Sequence, residues 1–226
     1  MKTLQKFGGF AALYLAAGYI MGMIGFLGVV DVSSVADPVQ QVALMADNLA
    51  FLYIMYLIVY VVWGIFMVVL ALALYERLKA SSPAIVQTAT AFGIFWGCVI
   101  LISGMIQNAG MQTVVALYAK DPAQAGTIWL TIDSVLKGLA GSNEAIGGIW
   151  ILLLSWAALR TGALSKVLNY LGVAVGVAGI ISIVPALDIF IYIFALGQIV
   201  WFIWLGIAML RSNPGKKATN ELLSAA

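Results

Sequence analysis

The sequence predicts an all-α fold: a polytopic membrane helix bundle with six transmembrane helices and an external amphipathic helix between helices 3 and 4. Three observations predict it. The chain is 64% hydrophobic and only 9% charged, against about 25% charged in a soluble domain. Its apolar residues gather into six long runs parted by short polar seams. The basic residues fall on alternate seams, as they do in polytopic membrane proteins. A spanning segment in lipid must satisfy its own backbone, so runs of this length are read as helices rather than open strands.

The first span is expected over residues 7–30. Lys2 and Lys6 precede it and Ser34-Val35-Ala36 follows it, an arrangement that resembles a signal peptide with its cleavage site. The apolar run is longer than the roughly 7–15 residues of a signal core, so it is read as a retained helix. The seam from Asp31 to Asn48 holds Asp37-Pro38, an N-cap followed by proline at the first helical position. Val39, Val42, Met45, Ala46 and Leu49 then recur at helical spacing. The second span is expected over 49–75 and the third over 84–106, joined by the short seam Glu76 to Pro83.

A longer seam, Gln107 to Gly141, contains a second helix start at Asp121-Pro122. Ile128, Ile132, Val135, Leu136 and Leu139 fall on one face, and Thr127, Thr131, Ser134 and Lys137 on the other. This pattern predicts the amphipathic helix at the membrane surface or over the bundle. Asp133 and Lys137 stand one helical turn apart and can pair. The remaining spans are expected over 142–160, 166–186 and 188–210, making 1–211 the transmembrane domain. Asn213-Pro214-Gly215 stops the last helix, and 212–226 is read as a cytoplasmic polar tail. The echo between Asp37-Pro38-Val39-Gln40 and Asp121-Pro122-Ala123-Gln124 fits either a repeated hairpin or chance recurrence of one helix-start signal.

If six helices alternate, Lys2, Lys6, Arg77, Lys79, Arg160, Lys166, Arg211, Lys216 and Lys217 share one side, and Lys120 and Lys137 the other. The positive-inside rule then puts both termini in the cytoplasm of a bacterial inner (plasma) membrane. These basic residues act as topology signals, and nothing suggests a nucleic-acid partner. The chain has one cysteine, Cys98, and no histidine. That excludes an intramolecular disulfide and a multi-cysteine metal site, and removes the commonest general base and metal ligand. Phosphate-binding loops, dinucleotide fingerprints and nucleophile elbows are absent, and no cofactor is expected.

The stretch Gly147-Gly148-Ile149-Trp150, the turn Arg160-Thr161-Gly162-Ala163-Leu164-Ser165-Lys166-Val167-Leu168, and then Leu171-Gly172 and Ala178-Gly179 resemble a bacterial six-helix membrane family known as domain of unknown function 4386. The strongest likeness covers about residues 145–180. The resemblance implies a fold and a bacterial membrane, and carries no catalytic residues.

Three groups of residues are candidates for function. Tyr53, Tyr56, Tyr60, Trp63 and Met67 step by three, four, three and four, so a regular helix puts them on one face, as core or as a cavity wall. Polar residues gather toward the external half: Asp47, Ser103, Gln107, Asn108, Asn143, Glu144 and Asp188 near span ends, with Gln198 at mid-depth. Polar groups at such depths are costly and face the protein interior. Tyr53, Tyr56, Tyr60, Gln107, Asn143, Glu144 and Gln198 are therefore the pocket candidates. The third group is glycine at four-residue spacing: Gly18 with Gly22, Gly93 with Gly97, and Gly172 with Gly176. Such pairs let helices approach closely, within one chain or between copies.

The leading functional reading is a non-enzymatic membrane protein that binds or passes a lipid-like or small neutral molecule through an outward-facing pocket. The alternative is an accessory or structural subunit of a larger membrane complex, with partner chains or further copies beside membrane lipids. A third reading, an intramembrane enzyme, requires Glu144 to act with a second carboxylate, Asp47 or Asp188.

Overall fold

The computed structural model describes residues 2–80, 82–141 and 143–211, so the tail expected over 212–226 lies outside the described residues. Helix α1 (Lys2–Met23) continues into a π-helical turn at Ile24–Val29. A short 3₁₀ turn, Val32–Ser34, leads to α2 (Pro38–Asp47). Helix α3 (Leu49–Tyr56) runs through a second π-helical turn, Leu57–Val62, into α4 (Trp63–Leu78). Then come α5 (Pro83–Tyr118), α6 (Pro122–Ala140), α7 (Asn143–Thr161), α8 (Lys166–Ile181) and α9 (Ile189–Arg211). The described residues form no strand.

The local chemistry explains the breaks. Asp37 accepts a hydrogen bond from the Val39 N–H at 2.8 Å, with Pro38 opening α2. Asp121 accepts from the Gln124 N–H at 3.0 Å, with Pro122 opening α6. The Ser165 hydroxyl accepts from the Leu168 N–H at 3.3 Å and starts α8. Between α7 and α8, Gly162 takes φ of +63°, the left-handed conformation that glycine adopts without strain. Arg77 reaches across from α4 and donates to the Ala163 carbonyl in that turn at 2.9 Å.

Six helices close into a ring, in the order α1, α4, α5, α7, α8, α9 and back to α1. Its centre is filled by aromatic side chains from different helices. Trp63, Trp96, Trp150 and Trp201 stand in sequence with ring centroids 5.1, 5.9 and 5.6 Å apart. On three of the ring's interfaces a glycine faces a glycine: Gly9 with Gly206, Gly64 with Gly97, and Gly148 with Gly176. At each, a β-carbon on one residue would strike the carbonyl oxygen of the other. The other glycines singled out in the sequence also face neighbours within the chain. Gly18 faces Trp63, Gly22 faces Val59, Gly93 faces Trp150, and Gly172 faces Ser155 and Trp201.

A second, smaller core holds Val42, Met45, Met111, Val114, Ala125 and Trp129. It arises because α5 is 36 residues long, or about 54 Å at helical rise, and overshoots an apolar layer of about 30 Å. The helix thus continues past residue 106, the expected end of the third span. Its continuation carries α2 and α6 as a cap, pinned by the Trp129 indole N–H donating to Gln41 Oε1 at 2.6 Å. The buried face of α6 is Ala125, Gly126 and Trp129, whereas Val135 and Leu139 on the expected apolar face are exposed. The Asp133–Lys137 pair forms at 2.6 Å.

Among the described residues, five helical stretches are long and apolar enough to cross a membrane: Thr3–Val29, Leu49–Leu78, Pro83–Tyr118, Pro122–Thr161 and Ile189–Arg211. Helix α8 is apolar but has only 16 residues, about 24 Å at helical rise. The chain is therefore a multi-pass helical membrane protein, with Arg77, Arg160, Lys166 and Arg211 at the helix ends remote from the cap.

Candidate functional site

Near the capped end the ring is not solid. A cavity of about 300 Å³ opens between α1, the second π turn, α5 and the start of α7. Tyr19, Phe26, Tyr60 and Trp63 form its aromatic walls, and Asn143 and Glu144 supply its polar pole. Both π-helical turns border it, one through Phe26 and Leu27, the other through Val59 and Tyr60. A π turn widens a helix by one residue and recurs at functional sites, because it moves side chains off the regular stripe.

The polar pole is held from behind. The Trp96 indole N–H donates to Asn143 Oδ1 at 2.8 Å. The Asn143 amide donates to the Ala140 carbonyl at 2.7 Å and to Glu144 Oε1 at 3.3 Å. Glu144 is half-buried in the first turn of α7, where the exposed N–H groups of the helix favour a negative charge. The aromatic walls lock one another. Tyr19 meets Trp63 edge to face at 5.7 Å and 81°, and Phe26 meets Tyr60 the same way at 6.2 Å and 74°.

A second cavity of about 320 Å³ lies on the cap side. It shares Tyr60 and Ala140 with the first, and its lining is more polar: Gln41, Ser103, Gln107, Asp133 and Lys137 among others. The two adjoin at Tyr60 and Ala140; the more polar one is the vestibule and the aromatic one the inner chamber.

The sequence-selected residues divide between these spaces. Tyr60, Asn143 and Glu144 line the inner chamber; Tyr56, Tyr60 and Gln107 line the vestibule. Two residues line neither. Tyr53 is 38% exposed on the outer surface, and only its backbone carbonyl is engaged, accepting from the Asn108 amide at 3.2 Å. Gln198 is fully buried, and neither atom of its side-chain amide has a hydrogen-bond partner among the described residues. Asp47 and Asp188 are both exposed and line neither cavity, so neither joins Glu144 there. No cluster of three potential metal-ligating side chains occurs among the described residues.

Tyr19, Phe26 and the two π turns were not anticipated. Tyr19 and Phe26 are seven apart, a spacing that puts both on one helix face, and this was the available signal. The π turns leave no comparable mark in composition.

Fold and site together define a helical multi-pass membrane protein with an aromatic chamber near one end of the bundle. The chain belongs to the family described as a domain of unknown function, DUF4386, which matches residues 10–208. No curated protein and no solved structure matches it. The family-like residues of α7 and α8 form a packing seam: Gly147 faces Trp96 and Phe194, Gly148 faces Gly176, and Gly179 faces the Glu144 carbonyl. That seam fixes where the first turn of α7, and hence Glu144, stands.

Proposed function

We propose that this protein is a non-enzymatic membrane protein that takes a small, largely apolar molecule into the aromatic chamber from the capped side. The observation that carries the reading is the chamber itself, with apolar aromatic walls and polar groups converging on Asn143 and Glu144. A concave, mostly apolar space with a few convergent polar groups is the usual form of a ligand site. The chain crosses the membrane six times in this reading. Helix α8 is the short crossing, completed by the apolar Ile183 and Val184 that follow it. The basic helix ends face the cytoplasm of a bacterial plasma membrane, both termini are inside, and α2 and α6 cap the outer face.

Cysteine accessibility tests both the opening and its side. In a Cys98→Ser background, Ala140→Cys, at the junction of the two cavities, should react with a membrane-impermeant thiol reagent in intact cells. A chamber-filling Val59→Phe change should slow that reaction. Labelling only after the cells are opened would reverse the orientation. Absence of labelling in purified, detergent-solubilised protein would remove the chamber.

A further inference from the structure

We propose that the chamber recognises an organic ammonium group, an amine or quaternary ammonium carried on a compact apolar body; this rests on the chamber being the ligand site proposed above. Charge is the first ground. Among the described residues that line the inner chamber, Glu144 is the sole charged one, and no Lys or Arg is among them. In the vestibule, Asp133 and Lys137 neutralise each other at 2.6 Å. The ion pairs among the described residues are Lys79 with Glu76 and Lys137 with Asp133, and neither involves Glu144. A half-buried carboxylate without a cationic partner is costly in a low-dielectric setting. The start of α7 and the Asn143 amide offset only part of that cost.

Wall geometry is the second ground. Two edge-to-face pairs, Tyr19 with Trp63 and Phe26 with Tyr60, line the same space. Aromatic cages of this kind attract cations through the negative faces of their rings, most strongly when water is excluded. An anion would meet Glu144, a group of the same sign. A neutral ligand would leave the carboxylate uncompensated or oblige it to take up a proton. The volume of about 300 Å³ suits a compact ligand, at the low end of the roughly 300–1,000 Å³ of small-molecule sites. The same chemistry is offered by a free amine and by a choline or ethanolamine lipid headgroup.

The test uses the full chain in phosphatidylglycerol nanodiscs. Binding of benzyltrimethylammonium and of its uncharged carbon isostere, neopentylbenzene, is followed by the fluorescence of Trp63 and its neighbours. The cation is expected to bind at least about tenfold tighter than the isostere, and Glu144→Gln to remove that advantage without weakening the isostere. Should Glu144→Gln not fold, Tyr60→Leu serves: it should weaken the cation more than the isostere. Val59→Phe should weaken both probes. If the two probes bind alike, Glu144→Gln changes neither and Val59→Phe weakens both, the ammonium assignment is overturned and the chamber survives as a neutral site. If neither probe binds, both readings fall. Adding phosphatidylcholine to the nanodiscs identifies the source: competition points to a headgroup, and undiminished binding to a free amine, each upholding the ammonium chemistry.

Discussion

Adding one methyl group at Gly148 tests the helix packing that holds the site. A β-carbon there would lie 2.6 Å from the Gly176 carbonyl oxygen, 2.9 Å from the Ile180 nitrogen and 3.0 Å from the Gly179 carbonyl carbon. Carbon–oxygen contacts settle near 3.3–3.6 Å, so α8 must withdraw by more than about half an ångström. The obstructing atoms are all backbone, and no side-chain rotation relieves them. Overpacking of this kind costs about 1–3 kcal/mol, while glycine to alanine in a helix returns up to about 1 kcal/mol. Gly148→Ala should therefore be destabilised by roughly 1–2 kcal/mol in equilibrium unfolding in detergent micelles. Gly138→Ala is the control: nothing lies within 4 Å of its β-carbon position, so it should be neutral or slightly stabilised. Gly176→Ala meets the Gly148 carbonyl oxygen at 2.8 Å across the same gap. Once α8 has withdrawn for one methyl it has partly made room for the other, so the double variant should lose less than the sum. Equal stability of Gly148→Ala and Gly138→Ala, or strict additivity of the pair, would refute the reasoning.

Trp96→Phe deletes the indole N–H that donates to Asn143 Oδ1 at 2.8 Å. It should cost about 1–3 kcal/mol in the same unfolding assay and loosen the pole of the chamber. Trp129→Phe releases Gln41 Oε1; amide exchange should quicken in α2 and α6 and stay unchanged in α7 and α8. Lys137→Ala removes an ion pair whose lysine side chain is 75% exposed, so the loss should stay near 0.5 kcal/mol and shrink with salt; a loss of several kcal/mol would mean that the pair locks the cap. Cys98 is exposed on an apolar stretch of α5. A charged thiol reagent should leave it unmodified in intact membranes and modify it after denaturation in SDS, and prompt labelling before denaturation would contradict its lipid-facing position.

Signals that act through nearby residues were legible in the sequence. Asp37-Pro38 and Asp121-Pro122 begin helices because an aspartate cap and a proline at the first position need only their own neighbours. The Asp133–Lys137 pair forms for the same reason. Signals that depend on azimuth were not. Hydropathy marked the third span by its apolar run, but α5 continues to Tyr118 because α2 and α6 pack on it. The buried face of α6 is set by Val39, which packs against Gly126, and by the Gln41 side chain, not by its own apolar stripe alone. Gln198 is expected at mid-depth, but depth fixes height and not direction, and its buried side chain lines neither cavity.

The aromatic stripe of the second span shows what produced the chamber. In a regular helix Tyr53, Tyr56, Tyr60 and Trp63 stay on one face, because each residue turns the chain by about 100°. The π turn at Leu57–Val62 closes i→i+5 bonds and so rotates less per residue. The faces before and after it fall out of register. Tyr53 is left on the outer surface, Tyr56 on the vestibule, Tyr60 at the shared wall and Trp63 on the inner chamber. A second π turn at Ile24–Val29 does the same for α1, turning Phe26 onto Tyr56 and Tyr60. Neighbouring helices that both lose register at one height can no longer interdigitate there along a single stripe. The aromatic rings that would have closed the seam instead line a space beside Glu144. The chamber is thus a consequence of two local departures from 3.6-residue periodicity, and this is why a reading based on that periodicity found several of its residues but not its shape.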